Sequence, residues 1–168
     1  AVSQWTNEIT ETCLAEFHSP NDTSGPSTVG EQLAIVIGNV AEVAPRELVD
    51  HAETLVFLFS ESGDKERKPL IFALNAVSET SPEVFDFADA TALTEPFTEQ
   101  FAVDNAEYLD VIANVVSIDR FRTEDVATTL ISLLESKSVQ LKKKAANALH
   151  ELARNDPILL KGYVSQVT

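Results

Sequence analysis

Residues whose types and spacing would announce chemistry are few in this chain. Of the three histidines, His18, His51 and His150, only His150 is followed by a carboxylate, Glu151. A metal centre assembled from helical His-Glu pairs needs several such pairs converging. No metal site is therefore expected, and His150 should lie on a helix face. Asp50 and His51 precede Ser60 and Ser62. These are the residue types of an activated serine, but nothing in their spacing sets the hydrogen bonds that a nucleophile needs. The five glycines form no phosphate-cradling loop. A single Cys13 excludes both an internal disulfide and a cysteine-built zinc site, and is expected to be a small helix residue. The one basic run, Lys142-Lys143-Lys144, is expected to be a solvated helix start with its aliphatic stems lying on the fold. Its alternative is a contact with an acidic partner, or with the acidic body of a second copy. No catalytic residue, cofactor or metal follows from these residues.

The charge balance narrows the partners. The 168 residues carry 27 acids against 12 bases, a net of −15. Residues 1–136 hold 25 acids and 6 bases, a net of −19, whereas residues 137–168 hold 2 acids and 6 bases, a net of +4. An anionic surface repels a phosphate backbone, so nucleic acid is not an expected partner. The scarcity of lysine and the excess of acids, Val, Ala and Thr resemble proteins of a high-salt cytoplasm, in which acidity is a solvation property of the surface; recognition of a basic partner is the alternative reading. At 44% hydrophobic the chain can bury a core. No apolar run approaches the roughly 18–20 residues of a membrane span, and no charged-then-apolar leader precedes Trp5. A soluble, cytoplasmic protein without a membrane partner is expected, and the Asn21-Asp22-Thr23 sequon is expected to be unused.

What positions these residues is a repeat. Leu55 to Pro82 overlays Leu130 to Pro157 without a gap at an offset of 75 residues, with Leu55/Leu130, Leu58/Leu133, Lys68/Lys143, Ala73/Ala148, Leu74/Leu149 and Pro82/Pro157 identical. A weaker copy lies midway. Leu33, Leu70, Leu109 and Ala145 form one column at spacings of 37, 39 and 36. Parallel columns are Ile37/Leu74/Ala113/Leu149, Val40/Val77/Val116/Leu152, Val36/Ala73/Ile112/Ala148 and the small Ala41/Ser78/Ser117/Ala153. Within each copy these positions fall at i, i+3, i+4, i+7 and i+8, the apolar stripe of an α-helix. A first helix precedes each one, with stripes Leu48, Ala52, Leu55, Phe59 and Val126, Leu130, Leu133, Leu134. Pro45, Pro82 and Pro157 sit where one copy gives way to the next, a position where the missing N–H costs nothing. Thr123 opens the remaining junction.

The N-terminal segment 3–17 should supply the first helix, with Trp5, Ile9, Cys13 or Leu14, and Phe17 on its apolar face. In the third copy Thr94-Glu95-Pro96 should split the first helix into pieces at 83–93 and 96–102. Turns are expected at 61–65 and 135–138. Residues 156–167 form a last helix, which either caps the stack or hands on to further copies.

Leu130 to Ala153, LISLLESKSVQLKKKAANALHELA, resembles an armadillo/HEAT repeat in its LxxLL helix end, short polar turn, Val139-Gln140 and AAxALxxLA run. The resemblance implies an all-α solenoid, a right-handed superhelix of about nine helices. Its approximate units are 1–44, 45–81, 82–120 and 121–155, with a terminal helix at 156–168. It also implies a concave face of second helices that holds protein segments. In peptide-binding armadillo proteins a Trp and an Asn recur on that face. The positions here are Ile35, Phe72, Val111 and Asn147 for the first, and Asn39, Ala76, Val115 and Glu151 for the second, so only Asn39 matches.

A separate polar column does recur, Gly38, Asn75, Asn114 and His150, beside Glu31, Lys68, Glu107 and Lys143, with Glu42, Glu79 and Arg154 a turn further. The expected partner-binding residues are Asn39, Lys68, Phe72, Asn75, Asn114, Lys143, His150 and Arg154. Of the phenylalanines, Phe57, Phe72 and Phe87 fall off the main stripes; packing within or between copies is the first expectation for them, and an apolar landing site the second. The expected function is a non-catalytic scaffold or adaptor for a protein partner. The alternatives are a HEAT-like enzyme or enzyme accessory subunit and, third, a nucleic-acid-binding HEAT-like domain.

Overall fold

A computed structural model describes Glu8, Glu11 and Thr12, then residues 28–116, Ile118 and residues 123–155. The expected face of Trp5, Ile9, Cys13, Leu14 and Phe17, the segment 18–27, Ser117, the junction at 119–122 and the terminal helix at 156–168 lie outside the described residues. Among those described, every regular element is helical, with eight α-helices, two 3-10 turns and no strand. The chain divides into two compact units, Ala1–Val84 and Phe85–Thr168.

The first unit contains α1 (Thr28–Val43), a 3-10 turn (Pro45–His51), α2 (Ala52–Glu61), α3 (Asp64–Thr80) and a second 3-10 turn (Pro82–Val84). Pro45 and Pro82 both open an element, as expected of a residue with a preset φ and no N–H to lose. What they open is 3-10 rather than α-helix. The stripe nonetheless continues through the change, since Leu48, Ala52, Leu55 and Phe59 are all buried. Helix α2 stops at Ser62, whose hydroxyl donates to the Leu58 carbonyl and whose backbone is extended. Only Ser62 and Gly63 separate α2 from α3, a tighter turn than the expected 61–65.

The early start of α3 places Pro69 inside the helix. There it cannot donate to the carbonyl of residue 65. Gly38 of α1 lies against it, for a Cβ at Gly38 would sit 3.3 Å from the Pro69 carbonyl oxygen and 3.4 Å from its Cβ. The glycine thus sets how closely α1 approaches α3. Ala34, Ile37, Val40 and Ala41 of α1 and Leu70, Ala73, Leu74 and Val77 of α3 are buried, while Leu33 and Val36 are half-buried. Helix α3 packs on both α1 and α2, and the first 3-10 turn touches all three.

The second unit contains α4 (Phe87–Thr94), α5 (Glu99–Asp104), α6 (Tyr108–Val115), α7 (Thr123–Leu133) and α8 (Val139–Asn155). The expected break around Pro96 is present, but the two pieces lie at 87–94 and 99–104 rather than 83–93 and 96–102. Capping explains the shift. Asp86 accepts from the Asp89 amide at 2.9 Å while Asp89 accepts from the Asp86 amide at 3.1 Å, a reciprocal box that starts α4. Thr98 accepts from the Phe101 amide at 3.2 Å and starts α5.

Tyr108 is wholly buried, with its ring edge-on to Phe101 at 5.0 Å and tilted to Phe97 at 6.5 Å. Its hydroxyl donates to the Leu93 carbonyl at the end of α4. Helix α8 packs on α6 and α7. The column residues Leu109, Ile112, Val116, Ala145, Ala148 and Leu152 are buried, with Val126, Leu130 and Leu133 of α7. Ala113 and Leu149 are half-buried, and Leu134 of the α7 stripe lies exposed just past the helix end.

Candidate functional site

Both serines of the Asp50, His51, Ser60 and Ser62 set bond to their own helix. Ser60 Oγ donates to the Val56 carbonyl at 2.9 Å and Ser62 Oγ to that of Leu58, so both hydroxyl protons are held on their own helix. Among the described residues no group of His, Cys, Asp and Glu is placed to hold a metal ion.

A groove of about 590 Å³ lies between α1 and α3. Its floor is small or rigid, with Gly38 and Ala41 from α1 and Pro69 and Ala76 from α3. Ile35 and Phe72 supply apolar surface, and Asn39, Asn75, Glu42, Glu79 and Lys68 complete the lining. The spacing explains this composition. Lys68, Phe72, Asn75 and Glu79 stand at i, i+4, i+7 and i+11, one side of α3. The buried Leu70, Ala73, Leu74 and Val77 hold the opposite side in the core. Ile35, Gly38 and Glu42 hold the same register on α1 at the 37-residue offset.

The direction of the two helices follows from their connection. The two-residue turn makes α2 antiparallel to α3, which lays the 3-10 turn preceding α2 beside the C-terminal half of α3. Helix α1 ends at that same 3-10 turn, which packs on both helices. Both helices therefore run in the same direction, with Glu42 in the last turn of α1, four residues beyond the Gly38–Pro69 contact, and Glu79 in the last turn of α3, ten residues beyond it. Lys68 lies toward the start of α3. Asn75 Nδ2 donates to Glu79 Oε1 at 3.1 Å, while Asn75 Oδ1 is shielded from solvent and accepts no hydrogen bond from any described residue.

Four of the eight expected binding residues, Asn39, Lys68, Phe72 and Asn75, share this groove. The other four belong to the second unit. Asn114 is half-buried on α6, and Lys143, His150 and Arg154 are exposed along one side of α8. That side repeats the α3 register at the 75-residue offset but with different content. Asn147 stands where α3 has Phe72, and Arg154 where it has Glu79. Arg154 Nη1 pairs with Glu151 Oε2 at 3.1 Å. Val111, on α6 at the register of Phe72, is fully buried rather than turned to a groove. The basic run also divides. Lys142 and Lys143 are exposed, but Lys144 pairs with Asp110 of α6 and ties α8 to it.

Phe72 is 57% exposed, and Phe57 and Phe87 are also exposed, so none of the three is buried within its own copy, the first part of the expectation for them. Their departure from the apolar stripes was the right signal. Pro69 was the residue that sequence reasoning missed. With a turn at 61–65 it would have fallen in the first helical turn, where proline means nothing.

No family model, curated protein or solved structure matches the chain. No helix among the described residues is long and apolar enough to cross a membrane.

Proposed function

We propose that this chain is a non-catalytic, cytoplasmic interaction scaffold of the armadillo/HEAT kind, its helical hairpins stacked in sequence order, and that it docks a segment of a partner protein between α1 and α3. The observation that carries this reading is Phe72. A large apolar side chain left 57% exposed within a lined groove, with a backbone-rigid floor and amide groups on its walls, suits a ligand that brings both apolar and polar groups. Stacked helices hold these groups in place before binding, so little conformational freedom is lost on association. The repeated columns at 36 to 39 residues and the packing of second helices on one another, α1 on α3 and α6 on α8, support the stacked arrangement.

Cross-linking in source-cell extract tests the reading. A lysine-reactive cross-linker should join a partner to Lys68 in the native protein, and Phe72→Ser should abolish that product while leaving the helical signal unchanged. A partner whose cross-links persist in Phe72→Ser, or that fall only on Lys142 and Lys143, would place the docking surface elsewhere.

A further inference from the structure

The two ends of the groove differ in charge, and the difference specifies an occupant. Toward the C-terminal ends of the two helices stand the carboxylates of Glu42, on α1, and Glu79, further along on α3, both exposed. The last turns of α1 and α3 carry no basic residue, so the partial negative charges of both helix ends are unanswered there. Arg46, the next base along the chain, does not line the groove. This end holds acceptors in excess and calls for a cation with several N–H groups. At the other end Lys68 is the single base of the lining. Between them lie Ile35 and Phe72, both exposed. Lys68 and Glu79 are 11 residues apart on one helix, which at about 1.5 Å per residue is roughly 16 Å. An extended chain at about 3.3 Å per residue covers that distance in about five residues.

Resting on the docking role proposed above, we infer that the occupant is an extended segment of a partner protein, about five residues long, with an apolar side chain at its middle. This side chain seats against Ile35, Pro69 and Phe72. A Lys or Arg of the segment reaches Glu42 and Glu79, and an Asp or Glu at the opposite end meets Lys68. The corresponding side of α8, with Asn147 for Phe72 and Arg154 for Glu79, lacks both the apolar seat and the acidic end.

The test is selection of a random dodecapeptide phage library on the full immobilised chain, followed by anisotropy titration of the enriched peptides in fluorescein-labelled form. Enriched sequences should share an apolar residue with Lys or Arg two or three positions to one side. The double variant Glu42→Gln/Glu79→Gln should weaken them about tenfold or more at low salt, with the gap narrowing as salt rises. Phe72→Ser should abolish binding. Peptides that need Phe72 but bind the double variant as well as the native chain, or that show no basic preference, overturn the charge assignment and leave the docking role standing. A library that yields no Phe72-dependent binder overturns both.

Discussion

Removing the Tyr108 hydroxyl is the sharpest probe of how the second unit holds together. The carbonyl of Leu93 lies in the last turn of α4, where carbonyls lack donors from their own helix. Three residues on is Pro96, which has no N–H, and four on is Phe97, whose N–H goes to Thr94 at 3.1 Å. The Tyr108 hydroxyl, reaching back 15 residues, is the donor that the Leu93 carbonyl has. Tyr108→Phe keeps the ring against Phe97 and Phe101 and deletes only that donor. A buried acceptor left without a partner costs roughly 1–3 kcal/mol. For a chain of this length each kcal/mol lowers Tm by about 2–4 °C, so a fall of roughly 2–12 °C is expected. Urea and thermal unfolding followed by circular dichroism at constant salt would measure it, with the midpoint moving and the urea slope unchanged. Tyr108→Leu, which also removes the ring, should cost more. If Tyr108→Phe unfolds with the native midpoint while Tyr108→Leu is strongly destabilised, the hydroxyl contributes nothing and the argument for a cap on α4 fails.

Gly38→Val places a branched Cβ against the Pro69 backbone, which cannot yield. It should destabilise by about 1–3 kcal/mol despite the better helix propensity of valine, and a native-like midpoint in urea would refute the close approach. Lys144→Ala should cost about 0.5–1 kcal/mol by leaving Asp110 half-buried without its cation, while Lys143→Ala stays within about 0.5 kcal/mol of the native chain. Equal effects of the two in paired denaturation curves would contradict the division of the basic run. With a net charge of −15, self-repulsion should make Tm climb as salt rises from about 0.1 M to 1 M, where the screening length shortens from about 10 Å to 3 Å. A flat or falling Tm over that range would show that repulsion between surface acids does not limit stability.

Helical content, the apolar columns and most of their buried members were legible in the chain itself. A stripe at i, i+3, i+4 and i+7 can be hidden only by a helix laid against a neighbour, and Leu70, Leu74, Leu109, Ile112, Ala148 and Leu152 are hidden accordingly. The departure of Phe57, Phe72 and Phe87 from the period was visible in the chain, yet packing was the first expectation for them, and the structure leaves all three exposed. Local pattern could not decide which polar positions share a surface. Asn75 and His150 occupy equivalent places in the repeat, yet one lines a groove and the other is exposed on α8. That outcome depends on how closely neighbouring helices approach, which Gly38 and Pro69 set for α1 and α3 through a contact between residues 31 positions apart. Lys144, expected to be solvated, was misjudged for the same reason. Periodicity reports which side of a helix faces a neighbour, but the neighbour's shape and charge belong to another part of the chain, and only the tertiary structure brings them together.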